Sequence, residues 1–146
     1  MGDFRMPLRN MIVATLALVA FSTVAMGSWP METWTVQVVN GLGGGQTLLA
    51  HCKSKNDDLG DQNIATGALY SFTFKDNVWQ TTEFWCTLTK PNNAHASFDV
   101  YWYDTSKDQW LYTRCGDHTC VWIGKDDGVY IKNASTNQDE LVHPWE

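Results

Sequence analysis

Residues 33–40 read TWTVQVVN. Trp34, Val36 and Val38 fall at every second position, with Thr33, Thr35 and Gln37 between them. A period of two places successive side chains on opposite faces of an extended chain, so the segment predicts a strand with one face buried. The same alternation recurs outward at 46–53 (Leu48, Ala50, Cys52), 66–74 (Tyr70, Phe72, Phe74), 82–88 (Phe84, Cys86, Leu88) and 97–103 (Phe98, Val100, Trp102), then at 109–114, 119–123 and 128–132. Turn-forming clusters separate these runs: the glycines at 41–45, the polar stretch 56–63, Lys75-Asp76-Asn77, Pro91-Asn92-Asn93, residues 104–108, and Lys125-Asp126-Asp127-Gly128. Nothing with helical period interrupts them, which argues against a parallel α/β sheet. About eight short strands at this spacing predict an all-β fold, a small antiparallel β-sandwich.

The chain has 146 residues, 44% of them hydrophobic and 18% charged, which suits one folded domain and excludes a disordered chain. Ten basic against sixteen acidic side chains give a net charge of −6. Binding to nucleic acid or to anionic lipid rests on cations, so both classes are disfavoured.

Arg5 and Arg9 precede an apolar run from Met11 to Phe21, and small residues follow at Ala25 and Gly27. That order predicts a secretory signal peptide over 1–27, cleaved after Gly27 or, as second choice, after Ala25. The domain then spans 28–146 and is extracellular. The apolar stretch falls short of the roughly 20 residues a membrane span needs, so no membrane insertion is expected. Asn133-Ala134-Ser135 is a glycosylation sequon.

All four cysteines, Cys52, Cys86, Cys115 and Cys120, lie beyond the signal segment. In an oxidising compartment they predict two disulfides, with three connectivities open. Cys52 and Cys86 sit on the apolar faces of their strands. A pairing of Cys115 and Cys120 each with a distant strand cysteine is favoured, and a local Cys115–Cys120 bridge is the alternative. Disulfides would consume the thiols of Cys115-x-x-His118-x-Cys120, whose spacing also departs from the usual zinc patterns. The acidic clusters Asn56, Asp57, Asp58, Asp61 and Asp126, Asp127 lack the calcium-loop pattern and read as solvated turns. The histidines lie near no nucleophile elbow, and no carboxylate pair stands out, so no enzyme, metal or cofactor is expected. Trp85, Tyr101 and Tyr103 lie on the polar-facing side of their strands and form a candidate aromatic patch for carbohydrate.

The segments VQVVNGL from Val36, LLAHCKSKNDDLG from Leu48, GALYSFTF from Gly67, TTEFWCTL from Thr81, FDVYWYD from Phe98, the Cys115 and Cys120 pair, and VWIGKDDGVYI from Val121 together resemble the plant self-incompatibility protein homologues, or S-protein homologues. An aromatic residue usual shortly after Phe84-Trp85-Cys86 is replaced by Thr87-Leu88-Thr89-Lys90-Pro91. The resemblance implies a secreted, disulfide-stapled β-sandwich that acts as a non-enzymatic ligand for a plasma-membrane receptor protein, as a monomer. It implies recognition through surface loops, here Asn56, Asp57, Asp58 and Asp61, then Asp104 and Asp108, then Asp126 and Asp127. A secreted cell-wall or carbohydrate-binding module using the exposed aromatics is the alternative.

Overall fold

A computed structural model describes residues 32–146; the expected signal peptide and its cleavage site lie outside the described residues. Nine strands among the described residues form two sheets. β1 (Thr33–Asn40), β4 (Leu69–Lys75), β7 (Thr119–Lys125), β8 (Gly128–Asn133) and β9 (Gln138–His143) make one, in the order β4-β1-β7-β8-β9. β2 (Leu48–Ser54), β3 (Asp58–Ile64), β5 (Glu83–Thr89) and β6 (His95–Trp102) make the other, in the order β3-β2-β5-β6. The alternation of β1 works as its sequence requires: Trp34, Val36 and Val38 are buried, and Thr35, Gln37 and Val39 less so. Leu48, Ala50 and Cys52 from β2 and Phe84, Cys86 and Leu88 from β5 meet them from the opposite sheet, with Trp122 and Ile131 completing the core.

The all-β sandwich expected from the alternation is the observed fold, with four local differences. β3 falls in the stretch 56–63 expected to be a turn. It is an edge strand whose DLGDQNI buries only Ile64, so it carries no apolar alternation. Residues 109–114, expected as a strand, hold a short helix, α1 (Trp110–Arg114), with Leu111 as its buried residue. β9 has no counterpart among the expected strands, and its side chains are exposed or half-buried. The pairing of β1 with β7 is parallel while the other ladders are antiparallel, so the larger sheet is mixed.

Two disulfides staple the sandwich. Cys52 and Cys86 face each other across β2 and β5 and are bridged inside the core. The second bridge joins Cys115 to Cys120, five residues apart. This corrects the favoured long-range pairing of those two cysteines. The cross-strand register of β2 and β5 satisfies Cys52 and Cys86 with one another, and a tight loop with Asp117 and His118 both at positive φ (50° and 55°) brings Cys115 back to the start of β7.

Candidate functional site

The pairing registers collect several chain reversals at one end of the sandwich. Thr33 lies opposite Lys75, Thr35 opposite Thr119, Ser54 opposite Phe84, and Glu83 opposite Trp102. The β2–β3 turn at 54–57, the β4–β5 loop at 76–82, the segment 103–109 leading into α1, and the disulfide loop at 115–119 therefore crowd together. Two cavities open among them. One, of about 420 Å3, lies between Lys55, Asn56 and Asp57 on one side and Asn77, Thr81 and Trp85 on the other. The second, of about 600 Å3, is walled by Trp34, Tyr103, Tyr112, Asp76, Asp117 and His118. Asp76 and Asn77 stand between the two.

The loop 76–82 is the feature that sequence reading misses. Val78 is 71% exposed and Trp79 80% exposed, yet the loop beneath them is pinned. The Asn77 amide donates to Thr82 Oγ1 (2.9 Å), Asn77 Nδ2 donates to Thr81 Oγ1 (2.9 Å), and the Thr81 amide donates back to Asn77 Oδ1 (3.0 Å). The Gln80 amide closes the turn on the Asn77 carbonyl, with Gln80 at φ 59°. The result is an indole held in water by an ordered turn. Its signal in the sequence is an apolar pair, Val78-Trp79, out of phase with the strand that follows.

Below this loop lies a polar network. Tyr101 is fully buried and donates its hydroxyl to Asp76 Oδ1 at 2.6 Å, with the Tyr112 hydroxyl 3.3 Å away. Burial first, and the bonds to Asp76 and Tyr112 next, push the Tyr101 phenol far above its usual range. Trp34 packs against Tyr101, Tyr112 and His118 with ring centroids 5.1, 5.0 and 4.6 Å away.

Asp104 is not the exposed recognition carboxylate expected from sequence. It is 4% exposed and organises the entry to α1, accepting the Ser106 amide (2.9 Å) and hydroxyl on Oδ1 and the Leu111 amide on Oδ2 (2.8 Å). Its own amide donates to the Tyr112 hydroxyl at 3.0 Å. Burial alone would raise its pKa, but the bonds from Ser106 and Leu111 outweigh burial and hold the carboxyl below its ordinary value. Asp108, four residues on, is exposed.

The other acidic candidates scatter. Asn56 and Asp57 are exposed beside the first cavity. Asp58 and Asp61 belong to β3 and both face His51: Nε2 lies 2.6 Å from Asp58 Oδ1 and Nδ1 lies 3.0 Å from Asp61 Oδ1. The Gly60 amide and then His51 hold the Asp58 carboxyl below its ordinary value. Asp126 sits with the loops of the opposite end, accepting the Gly43 amide on Oδ1 (3.0 Å) and the Lys90 ammonium on its carbonyl (3.0 Å), and Asp127 accepts the Tyr130 hydroxyl at 2.7 Å. The three candidate loops do not form one surface.

Nor do the three candidate aromatics. Trp85 is half-buried on the outer face of its sheet, Tyr103 walls the larger cavity, and Tyr101 is in the core. A bulge explains Tyr101: opposite Phe84 and Trp85 on β5 stand Tyr101 and Asp99, leaving Val100 as an extra residue on β6, which turns Tyr101 inward. Asn133 ends β8, with Nδ2 donating to Glu140 Oε2 at 3.0 Å. Both cysteines of the Cys115-x-x-His118-x-Cys120 run are oxidised.

A family model described as "Plant self-incompatibility protein S1" matches residues 35–145. S-protein homolog 1 of Arabidopsis thaliana is 42% identical over 116 residues, covering 80% of this chain and 74% of that one. Self-incompatibility protein S1 of Papaver rhoeas is 31% identical over 121 residues, covering 83% and 82%. Among solved structures, a self-incompatibility protein homologue superposes with a TM-score of 0.60 at 18% identity, over 82% of this chain and 99% of that one. That homologue comes from a widespread family of small, highly stable, secreted proteins from plants. The larger part of the chain matches the family model and these relatives, and the chain belongs to the plant self-incompatibility protein S1 family, the secreted S-protein homologues.

Proposed function

We propose that the chain is a non-enzymatic extracellular ligand that presents the 54–57, 76–82 and 103–109 end of its sandwich to a plasma-membrane protein. The observation that carries this is Trp79, 80% exposed on a turn that Asn77 holds rigid. Tryptophan is enriched among the few side chains that dominate interface energies, and a preorganised loop avoids the ordering cost of binding. Exposed charges of both signs stand at the same end, Asp57, Asp108 and Asp117 with Lys55, Lys75 and Lys107, and the net charge of −6 favours approach to a basic partner. In the same reading residues 1–27 are removed as a signal peptide. Asn133 receives its glycan before β9 folds, because its Nδ2 is engaged by Glu140 in the finished structure.

The test is binding of fluorescently labelled mature protein to plant plasma-membrane vesicles, with and without prior protease treatment, and in parallel to insoluble cell-wall polysaccharide. Saturable binding to vesicles that protease abolishes supports a protein receptor. Binding to polysaccharide alone overturns it in favour of the wall-binding alternative.

A further inference from the structure

β6 pairs with β5 on one side only. Its other side is already used once: His95 exchanges both backbone bonds with Glu146, 3.1 Å from the His95 amide and 2.8 Å to the His95 carbonyl. Along an antiparallel ladder the backbone groups point alternately toward and away from the partner strand. Ser97 and Asp99, two and four residues beyond His95, therefore direct their amides and carbonyls to the same open side. The Val100 carbonyl that follows is satisfied by the Trp122 indole at 3.0 Å.

His143, at the end of β9, stacks on Phe98 with centroids 4.6 Å apart and planes at 25°. Past that contact a groove of about 500 Å3 is lined by residues of β6, β7, β9 and α1. Trp122 and Val142 contribute to its apolar lining, and the Trp102 and Trp110 rings in its wall lie nearly parallel, 6.1 Å apart at 17°. Desolvation holds the His143 imidazole below its ordinary pKa, against the opposing charge of Asp99, so the groove gains no fixed cation from it at neutral pH. Asp99 is the charged side chain of its lining; the Arg114 guanidinium, 4.3 Å over the Trp110 ring, is paired with Glu140.

We propose that this groove is a strand-addition site. An extended peptide of a partner protein pairs its backbone with Ser97 and Asp99 and seats a bulky uncharged or cationic side chain against Trp102 and Trp110. A row of outward-facing amides and carbonyls at strand spacing is complementary to a peptide backbone, and the Glu146–His95 pair shows the edge accepting one. Asp99 favours a cationic or neutral guest over an acidic one. The groove is separate from the Trp79 loop, so it constitutes a second contact surface.

The experiment pans a phage-displayed library of linear nine-residue peptides against the mature protein and titrates the enriched peptides into 15N-labelled protein. The expected result is peptides bearing aromatic and Lys or Arg residues that shift the Ser97 and Asp99 amide resonances and slow their hydrogen exchange. Ser97→Pro removes an outward amide that the fold does not use and should weaken binding at least about tenfold, as should Trp102→Ala. Because Ser97 Oγ also contacts Thr87 Oγ1 at 2.7 Å, Thr87→Val serves as the control and should bind like wild type. Failure to enrich any peptide, or enriched peptides whose affinity Ser97→Pro and Trp102→Ala leave unchanged, overturns the proposal. So does titration with cellohexaose that shifts the groove resonances while no peptide does.

Discussion

Asp104 Oδ2 accepts the amide of Leu111, seven residues away, at 2.8 Å. Gln109, the residue before α1, is in the left-handed region and supplies no side-chain cap, so a buried carboxylate from the preceding turn takes that role. Asp104→Ala leaves the Leu111 amide unpartnered in the core, and the expected cost is about 1–3 kcal/mol of unfolding free energy. Asp108→Asn, on the exposed stretch beside it, should stay within about 0.5 kcal/mol of wild type. Paired denaturant unfolding curves check both values.

The same carboxyl makes stability depend on pH. Its folded pKa lies below the ordinary 3.8, so the folded state binds its proton less readily than the unfolded state. The contribution is complete above about pH 4–5 and is lost as pH falls through the folded pKa. Asp104→Asn should lower stability at pH 6 and flatten the acid limb below about pH 4. An acid limb of unchanged slope would contradict the hydrogen-bond account.

The two disulfides should differ in weight. In the chain-entropy account the Cys52–Cys86 bridge, at a separation of 34, is worth about 4 kcal/mol, and the Cys115–Cys120 bridge, at a separation of 5, about 2 kcal/mol. Cys52→Ala with Cys86→Ala also removes sulfur from two core positions, so it should lower the melting temperature more than Cys115→Ala with Cys120→Ala. Thermal unfolding of the two double variants decides the order.

Tyr101→Phe keeps the ring in its slot and removes the bond to Asp76. The expected loss is about 1.5–3 kcal/mol, as for a hydrogen bond to a charged group. The raised phenol pKa means Tyr101 stays protonated in the native protein. Its contribution is full below about pH 10 and is lost only as pH rises toward the folded value. Tyr70, Tyr112 and Tyr130 are raised too, but Tyr101 furthest, so absorbance titration of native protein at high pH should show at least one tyrosine failing to ionise where the unfolded chain ionises them all.

Strands with one wet and one dry face are legible because burial writes a period of two into β1, β2, β5 and β7. β3 is not, since an edge strand that buries only Ile64 carries no such period. WLYTR at 110–114 alternates well enough to pass for a strand; its helical turn is held by the Asp104 carboxylate seven residues before Leu111, a contact that periodicity does not read. Tyr101 reads as exposed because the bulge at Val100 shifts the phase by one residue, and bulges leave no mark in a single sequence. For the candidate loops, only exposure and position can be compared with the sequence. Asn56, Asp57 and Asp108 are exposed at one end as read, while Asp104 is structural, Asp126 lies at the other end, and Trp79 is hidden from a periodicity argument inside a turn.

Recognition through the Trp79 end is checked by comparing three proteins in binding to plasma-membrane vesicles: wild type, Trp79→Ala and Asp126→Asn. Trp79 touches little of the fold, so Trp79→Ala should keep the wild-type melting temperature and weaken binding by about tenfold or more, while Asp126→Asn, at the opposite end, should bind like wild type. Trp79→Ala binding with unchanged affinity, with Asp126→Asn impaired, would contradict the account.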